Sequence, residues 1–320
     1  MLGCSPLPPL SGRAFVIRVP LVASGLTPLV ASVCLTALTL GAQTPPPLRN
    51  AAALELRVED ENTQPSLRIS VPGVSDGDHA IEVLFPEHVT VRKRGAKEVE
   101  HLYLFRPGKQ GDPITWQESG QSVQYERDFA PGVHFLARAT LTRDGVLFHY
   151  EFDNHSDVAY DMATAITDPR LTSVFHDVRL ERTYVHHING FQLLAVETPA
   201  RLTMPLKDWL PSRYMDSYAW PVPSNLVEHR DDGITYYNNS KPVDIPLIAT
   251  LSEDRQWVVA SFTRTTGNVW SNPDLTCQHV DQEKPLPAGG HAVLEVKILV
   301  VRDSLDHVLQ KAQQQRKHLE

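Results

Sequence analysis

The chain has 320 residues, with 30 basic against 38 acidic side chains and a formal charge of −8. That balance argues against nucleic acid as a partner, because phosphate binding needs clustered Lys and Arg. It argues equally against adhesion to anionic lipid.

Residues 1–42 stand apart from the rest. Arg13 and Arg18 are their only charged side chains, and a mostly apolar run from Val19 to Leu40 leads into Gly41-Ala42. A basic start, an apolar middle and a small-residue exit are the parts of a secretory signal. The run is also near the length that spans a bilayer. Pro20, Gly25 and Pro28 interrupt it, so the reading is a cleaved signal, a secreted or periplasmic product and no membrane contact afterwards. Without this segment the charge is −10 and Cys277 is the one cysteine left. The core must then hold without an internal disulfide, with Cys277 a small buried hydrophobe. Residues 43–53, with Pro45 to Pro47, read as a stiff tether, and residues 54–320 as a single domain.

Short β-like runs follow, broken by Pro, Gly, Asp and Asn: 54–60, 66–71, 79–85, 89–92 and 99–105. Runs 133–142 and 146–152 meet at Asp144-Gly145, a dipeptide of tight hairpins. Val146, Phe148, Tyr150 and Phe152 alternate with Leu147, His149 and Glu151, which gives one apolar face. Runs 158–167 and 178–185 continue the pattern. Residues 199–233 then carry Trp209, Tyr214, Tyr218 and Trp220 among Pro205, Pro211, Pro221 and Pro223, with no period. Strand character returns at 245–251, 255–262 and 293–301, and residues 303–318 predict a short C-terminal helix with Asp303 as N-cap. The expected fold is all-β: a large antiparallel sandwich of the supersandwich kind, with a long aromatic loop and that helix.

Three stretches could carry chemistry. In the aromatic loop, Trp209, Tyr218 and Trp220 offer stacking surfaces for sugar rings, while Arg213, Asp216 and Glu228 can hold hydroxyls. The same aromatics could instead plug one open end of the sandwich. Between 176 and 187, Glu181 and His186 are acid–base candidates, with Arg182 to stabilise developing negative charge. As a regular strand this stretch would place Glu181 and His186 on opposite faces, and cross-strand ion pairs are the alternative reading. In Trp270-Ser-Asn-Pro-Asp-Leu-Thr-Cys-Gln-His-Val-Asp281, the side chains of Cys277, His279 and Asp281 would share one face of an extended segment. No matching ligand cluster is visible elsewhere, so no metal site is expected. Asn272 and His279 read as part of a polar network there. Asn154-His-Ser and Asn238-Asn-Ser match the N-glycosylation acceptor. No cofactor motif is found.

The segment Leu147–Asp153, followed by Asn154-His-Ser-Asp157 and another β run, resembles galactose-mutarotase-like supersandwich domains. The stretch from Trp270 to His279, with Pro287-Ala-Gly-Gly and a strand running into a terminal helix, resembles secreted proteins of environmental bacteria. The first resemblance implies the supersandwich and a carbohydrate context; it assigns no catalytic residue, since no paired His with a carboxylate matches a mutarotase signature. The expected function is carbohydrate binding, extended in an enzyme to epimerase-, lyase- or hydrolase-like action. A non-catalytic structural or protein-binding module of the cell envelope is the alternative.

Overall fold

The computed structural model describes residues 46–59, 64–74, 80–102, 114–197, 212–214, 227–229, 235–238, 243–265, 268–272 and 277–320. The proposed signal, residues 1–42, lies outside them. Two large sheets and one small one make up the described chain.

The first sheet has ten strands in the order Leu48–Arg49, Glu55–Glu59, Ser66–Ser70, Ile81–Leu84, Asp168–Arg170, Cys277–Asp281, Asn268–Asn272, Ser212–Tyr214, Thr235–Asn238 and Val227–His229. The second has nine: Gly190–Leu193, Thr183–His187, Ile245–Leu251, Val258–Phe262, His291–Val301, Gly145–Asn154, Val133–Thr142, Ser122–Ala130 and Gln117–Ser119. The small sheet joins Lys284–Leu286, Tyr160–Ala165, Val89–Lys93 and Glu100–Leu102. The all-β antiparallel sandwich with one C-terminal helix is therefore what the chain forms. One pair departs from it. Ser212–Tyr214 runs parallel to Thr235–Asn238, so the segment expected as irregular loop contributes strands to the first sheet.

Period-two alternation sets the layers. Val146, Phe148, Tyr150 and Phe152 point inward with Phe135 and Tyr125, and all six are fully buried. Phe85 comes across from the end of Ile81–Leu84 and packs edge-on to Tyr125 at 5.7 Å and Phe148 at 5.2 Å. Removing each such ring from water contributes about 2–3 kcal/mol. A second apolar layer lies on the outer face of the second sheet. There Leu247, Ala249, Phe262 and Leu299 meet Val308 and Ala312 of the helix Leu305–Gln315. The helix N-cap is Ser304, whose hydroxyl accepts from the His307 amide, and not Asp303. Asp303 lies one residue earlier and binds the His307 ring and Lys311, so its carboxylate still meets the positive end of the helix. No helix of the described residues is long and apolar enough to cross a membrane.

Three other expectations shift. Ser122–Ala130, nine residues long, is a strand that polar residues such as Gln124, Glu126 and Asp128 concealed. The run at 178–185 begins only at Thr183, because Leu180 is buried in a left-handed conformation (φ 57°) that breaks the extended chain. Asn154 of the first glycosylation acceptor is buried, and its Nδ2 donates to the carbonyls of Val158 and Pro287 at 2.7 and 2.8 Å.

The hairpin turn itself is Arg143-Asp144, with Gly145 already paired to Thr142. Gly145 adopts φ 149°, and a Cβ there would meet the Ile298 carbonyl oxygen at 1.9 Å. Gly145→Ala is expected to cost about 3 kcal/mol and to lower Tm by roughly 5–10 °C. Calorimetry of the variant checks this, and an unchanged Tm would contradict the close approach.

Candidate functional site

The polar face of the first sheet gathers ionisable groups from three separate segments. Asp168 and Arg170 come from the short strand after the small sheet, Glu87 and His88 follow Phe85-Pro86, and Cys277, His279 and Asp281 come from the strand Cys277–Asp281. Alternation puts those last three on one side and Gln278 and Val280 on the other.

Asp168 is at the centre, with 0% exposure. Its Oδ2 accepts from Arg170 Nε at 3.1 Å and from the Cys277 thiol at 3.5 Å. Its Oδ1 has no hydrogen-bond partner among the described residues. Burial, reinforced by the neighbouring Glu87 carboxylate, pushes Asp168 above the usual carboxylate range, against the pull of His279 and Arg170. Glu87 moves the other way. Burial alone would raise it, but His88 (Nδ1 at 3.6 Å), His279 and Arg170 outweigh burial and hold it below the ordinary value. Two neighbouring carboxyls displaced in opposite directions are the arrangement by which a site keeps one acid and one base at the same pH. The cluster reaches solvent along one side: the Glu87 and Arg170 side chains are 27% and 33% exposed.

His279 is the third member. Its Nδ1 binds Asp281 Oδ1 at 2.7 Å, and Asp281 Oδ2 accepts from Asn268 Nδ2 at 2.6 Å. Burial works against a charged ring, yet Asp281, Asp168 and Glu87 together raise His279 to about 9. The ring is therefore an imidazolium near neutrality, with Nδ1 committed to Asp281 and Nε2 as its second donor. The Trp270 ring stacks on it, 5.8 Å between centroids and 20° between planes. Burial, then Asp168 and Glu87, push the Cys277 thiol far up, so it is no thiolate nucleophile. Among the described residues no three His, Cys, Asp or Glu side chains are arranged to hold a metal ion.

The other expected site residues are placed as follows. Backbone register sets Arg213 opposite Trp270 and Trp270 opposite His279, with Asn272 opposite Cys277. The strand holding Arg213 is thus hydrogen-bonded to the hairpin that carries the cluster. Glu228 lies on the edge strand Val227–His229, opposite Tyr236. Trp209, Asp216, Tyr218 and Trp220 lie outside the described residues. Glu181 sits in a turn, 52% exposed, with its carboxylate 3.0 Å from Arg179 Nε. Arg182 donates to the carbonyls of Val174, His176 and Leu251. His186, on the second sheet, binds Asp244 at 2.6 Å and meets Phe191 edge-on. The cluster contains His279, while Glu87, Asp168 and Arg170 were not singled out from the sequence. Their signal was a charged residue beside a proline at a strand end, in Pro86-Glu87-His88 and Asp168-Pro169-Arg170.

No protein-family model matches the sequence, and a search of curated proteins finds no relative of it. Among solved structures, a galactose mutarotase-related enzyme from Lactobacillus acidophilus is 10% identical, with a TM-score of 0.44 over 80% of this chain and 97% of that one. An aldose epimerase homologue from C. elegans is 8% identical, with a TM-score of 0.43 over 81% and 98%. A glycoside hydrolase family 97 enzyme from Pseudoalteromonas sp. strain K8 is 9% identical, with a TM-score of 0.41 over 82% of this chain. The chain spans 36% of that enzyme's length. Likeness at this level carries none of their residues over to this chain.

The raised His279 has a thermodynamic consequence. A group whose folded value lies above its unfolded value contributes stability below the unfolded value, and that stability is lost as pH rises through the folded one. The window here runs from the ordinary histidine value of 6.5 to about 9. Relative to a His279→Gln variant, the protein is expected to lose on the order of 2–3 kcal/mol between pH 6 and 9.5. Urea unfolding at the two pH values measures it, and parallel curves for the two proteins would contradict the ion cluster.

Proposed function

We propose that the chain binds a carbohydrate at the Glu87–Asp168–His279 cluster and transfers protons there. The observation that carries the reading is the convergence of Glu87, of Asp168 bound to Arg170, and of His279 bound through Nδ1 to Asp281 at 2.7 Å, with Glu87 and Arg170 reaching solvent. Glu87, ionised and reachable from solvent, accepts a proton from a sugar hydroxyl. His279 Nε2, held cationic by Asp281, donates to a second oxygen, and Arg170, bound to Asp168, steadies charge between them. Carboxyl groups and cations are interleaved in the cluster, Glu87, Asp168 and Asp281 beside His279 and Arg170. A site of that kind suits a neutral polyhydroxyl ligand better than a phosphate or a cation. Trp270 supplies an apolar ring beside the polar groups, as the C–H face of a pyranose requires. Trp209, Tyr218 and Trp220 belong to the proposal as further stacking surfaces on their residue types alone.

The reaction class that fits is acid–base chemistry at a sugar oxygen, as in epimerisation or hydrolysis. Glu87→Gln and His279→Gln are each expected to lower turnover by roughly 10²- to 10⁴-fold. The assay follows anomer exchange by NMR and the release of reducing ends, across neutral mono- and oligosaccharides. Sugar-dependent thermal stabilisation with no turnover would leave a carbohydrate-binding module. No response to any sugar would move the reading to a structural or protein-binding module of the envelope. Export also belongs to the proposal, and the mature chain is expected to begin near Gln43, which N-terminal sequencing of the secreted or periplasmic protein decides.

A further inference from the structure

Behind the site, on the opposite side of the strand Cys277–Asp281, four polar side chains cross between the two large sheets. Gln278 is buried against Thr250 of the second sheet, with its Nε2 at 2.6 Å and its Oε1 at 2.9 Å from Thr250 Oγ1. Thr250 Oγ1 lies 2.9 Å from Thr183 Oγ1, its register partner, and Thr183 Oγ1 lies 2.8 Å from Asp177 Oδ2. Asp177 also accepts the backbone amides of Glu181 and Arg182 at 3.1 and 2.7 Å. All four side chains are buried.

The carboxylate end sets the direction of every bond. Asp177 can only accept, so Thr183 donates to it, Thr250 donates to Thr183, and Gln278 must donate its Nε2 to Thr250. A single proton order follows, with the amide nitrogen of Gln278 turned to the second sheet. The surroundings are apolar: Val185, Ile248, Val269 and Val280 form the layer in which the chain lies. A matched apolar pair at 250 and 278 would serve stability as well, since buried polar networks rarely exceed well-packed hydrophobes. What the chain adds is register. A slip of one residue would turn His279 and Asp281 into the apolar layer and Gln278 onto the site face. In the native register the Gln278 Nε2 reaches its acceptor on the second sheet.

We propose that Gln278, Thr250 and Thr183 are positioning residues, a hydrogen-bonded chain ending on Asp177 that locks the strand Cys277–Asp281 in the register presenting His279 to the site. The consequence for turnover rests on the acid–base role proposed above for His279, whereas the geometry of the lock does not.

The test is the double variant Thr250→Val with Gln278→Leu, studied as the full chain by NMR of labelled histidine rings. The lock requires the variant to fold, with its His279 titration lowered by about one pH unit or more, or split into two populations. Where wild-type turnover exists, kcat is expected to fall about tenfold or more with KM changed less than about twofold. Thr250→Ser, which retains the hydroxyl, is expected to keep both readouts at wild-type values. A folded double variant whose His279 titrates as a single wild-type population near 9 would overturn the inference. So would a double variant that does not fold, since the chain would then be an element of stability and not of register. Because the titration needs no substrate, it separates failure of the lock from failure of the proposed reaction.

Discussion

A carboxyl group with no solvent contact has to be hydrogen-bonded, matched by opposite charge or kept protonated, since isolated burial of the anion costs several kcal/mol. Asp168 meets that constraint by hydrogen bonds and by nearby positive charge, with burial still shifting it towards the neutral form. Arg170 and the Cys277 thiol bind one oxygen, His279 and Arg170 supply positive charge, and Glu87 pushes the group towards its neutral form. The neighbours of Asp168 are consequences of its burial. Cys277 stays a thiol because it is buried, and because Asp168 and Glu87 lie beside it. His279 stays charged because Asp281 from its own strand and two carboxyls from other segments surround it. Remove the burial, and each of these groups returns towards ordinary behaviour.

The fold brings these groups together by dividing each strand between two faces. The inward faces carry the aromatic core around Phe85, Tyr125, Phe148 and Tyr150, and the phenol of Tyr125 donates to the Phe85 carbonyl at 2.5 Å. That bond fixes the end of the strand Ile81–Leu84 two residues before Glu87. The Tyr150 hydroxyl meets Thr167 at 2.5 Å, one residue before Asp168. Two core tyrosines thus hold the chain next to two site carboxyls, so the packing of the sandwich and the geometry of the cluster are mechanically linked. Core substitutions at these tyrosines would act on the site through its backbone and not through contact with a ligand.

The C-terminal helix plays a separate part. It covers apolar residues on the outer face of the second sheet, and Gln315 binds Asp144 in the hairpin turn. Asp144 also takes the buried Lys297, whose ammonium is weakened by burial and sustained by that carboxylate. The hairpin, the helix and the central strand His291–Val301 are fastened at one point by charge-assisted bonds, on the far side of the core from the first sheet.

Much of the architecture was legible in the residues alone, because strand periodicity is local. Val133–Thr142, Gly145–Asn154 and Ile245–Leu251 have alternation or apolar runs that few other structures could satisfy, and Cys277, His279 and Asp281 share a face by spacing alone. Polar strands such as Ser122–Ala130 were hidden, since their burial is decided by what packs on them and not by their own composition. The site was legible only in part. His279 and Asp281 lie two residues apart and could be paired from the sequence. Glu87 and Asp168 are separated by 81 positions in the chain, and nothing local says that two carboxyls will be neighbours in a buried place. Amino-acid order determined which faces are apolar and which side chains each strand could offer. Tertiary structure alone decided which of those side chains meet, because pairing between distant strands sets both the proximity and the burial on which their charges depend.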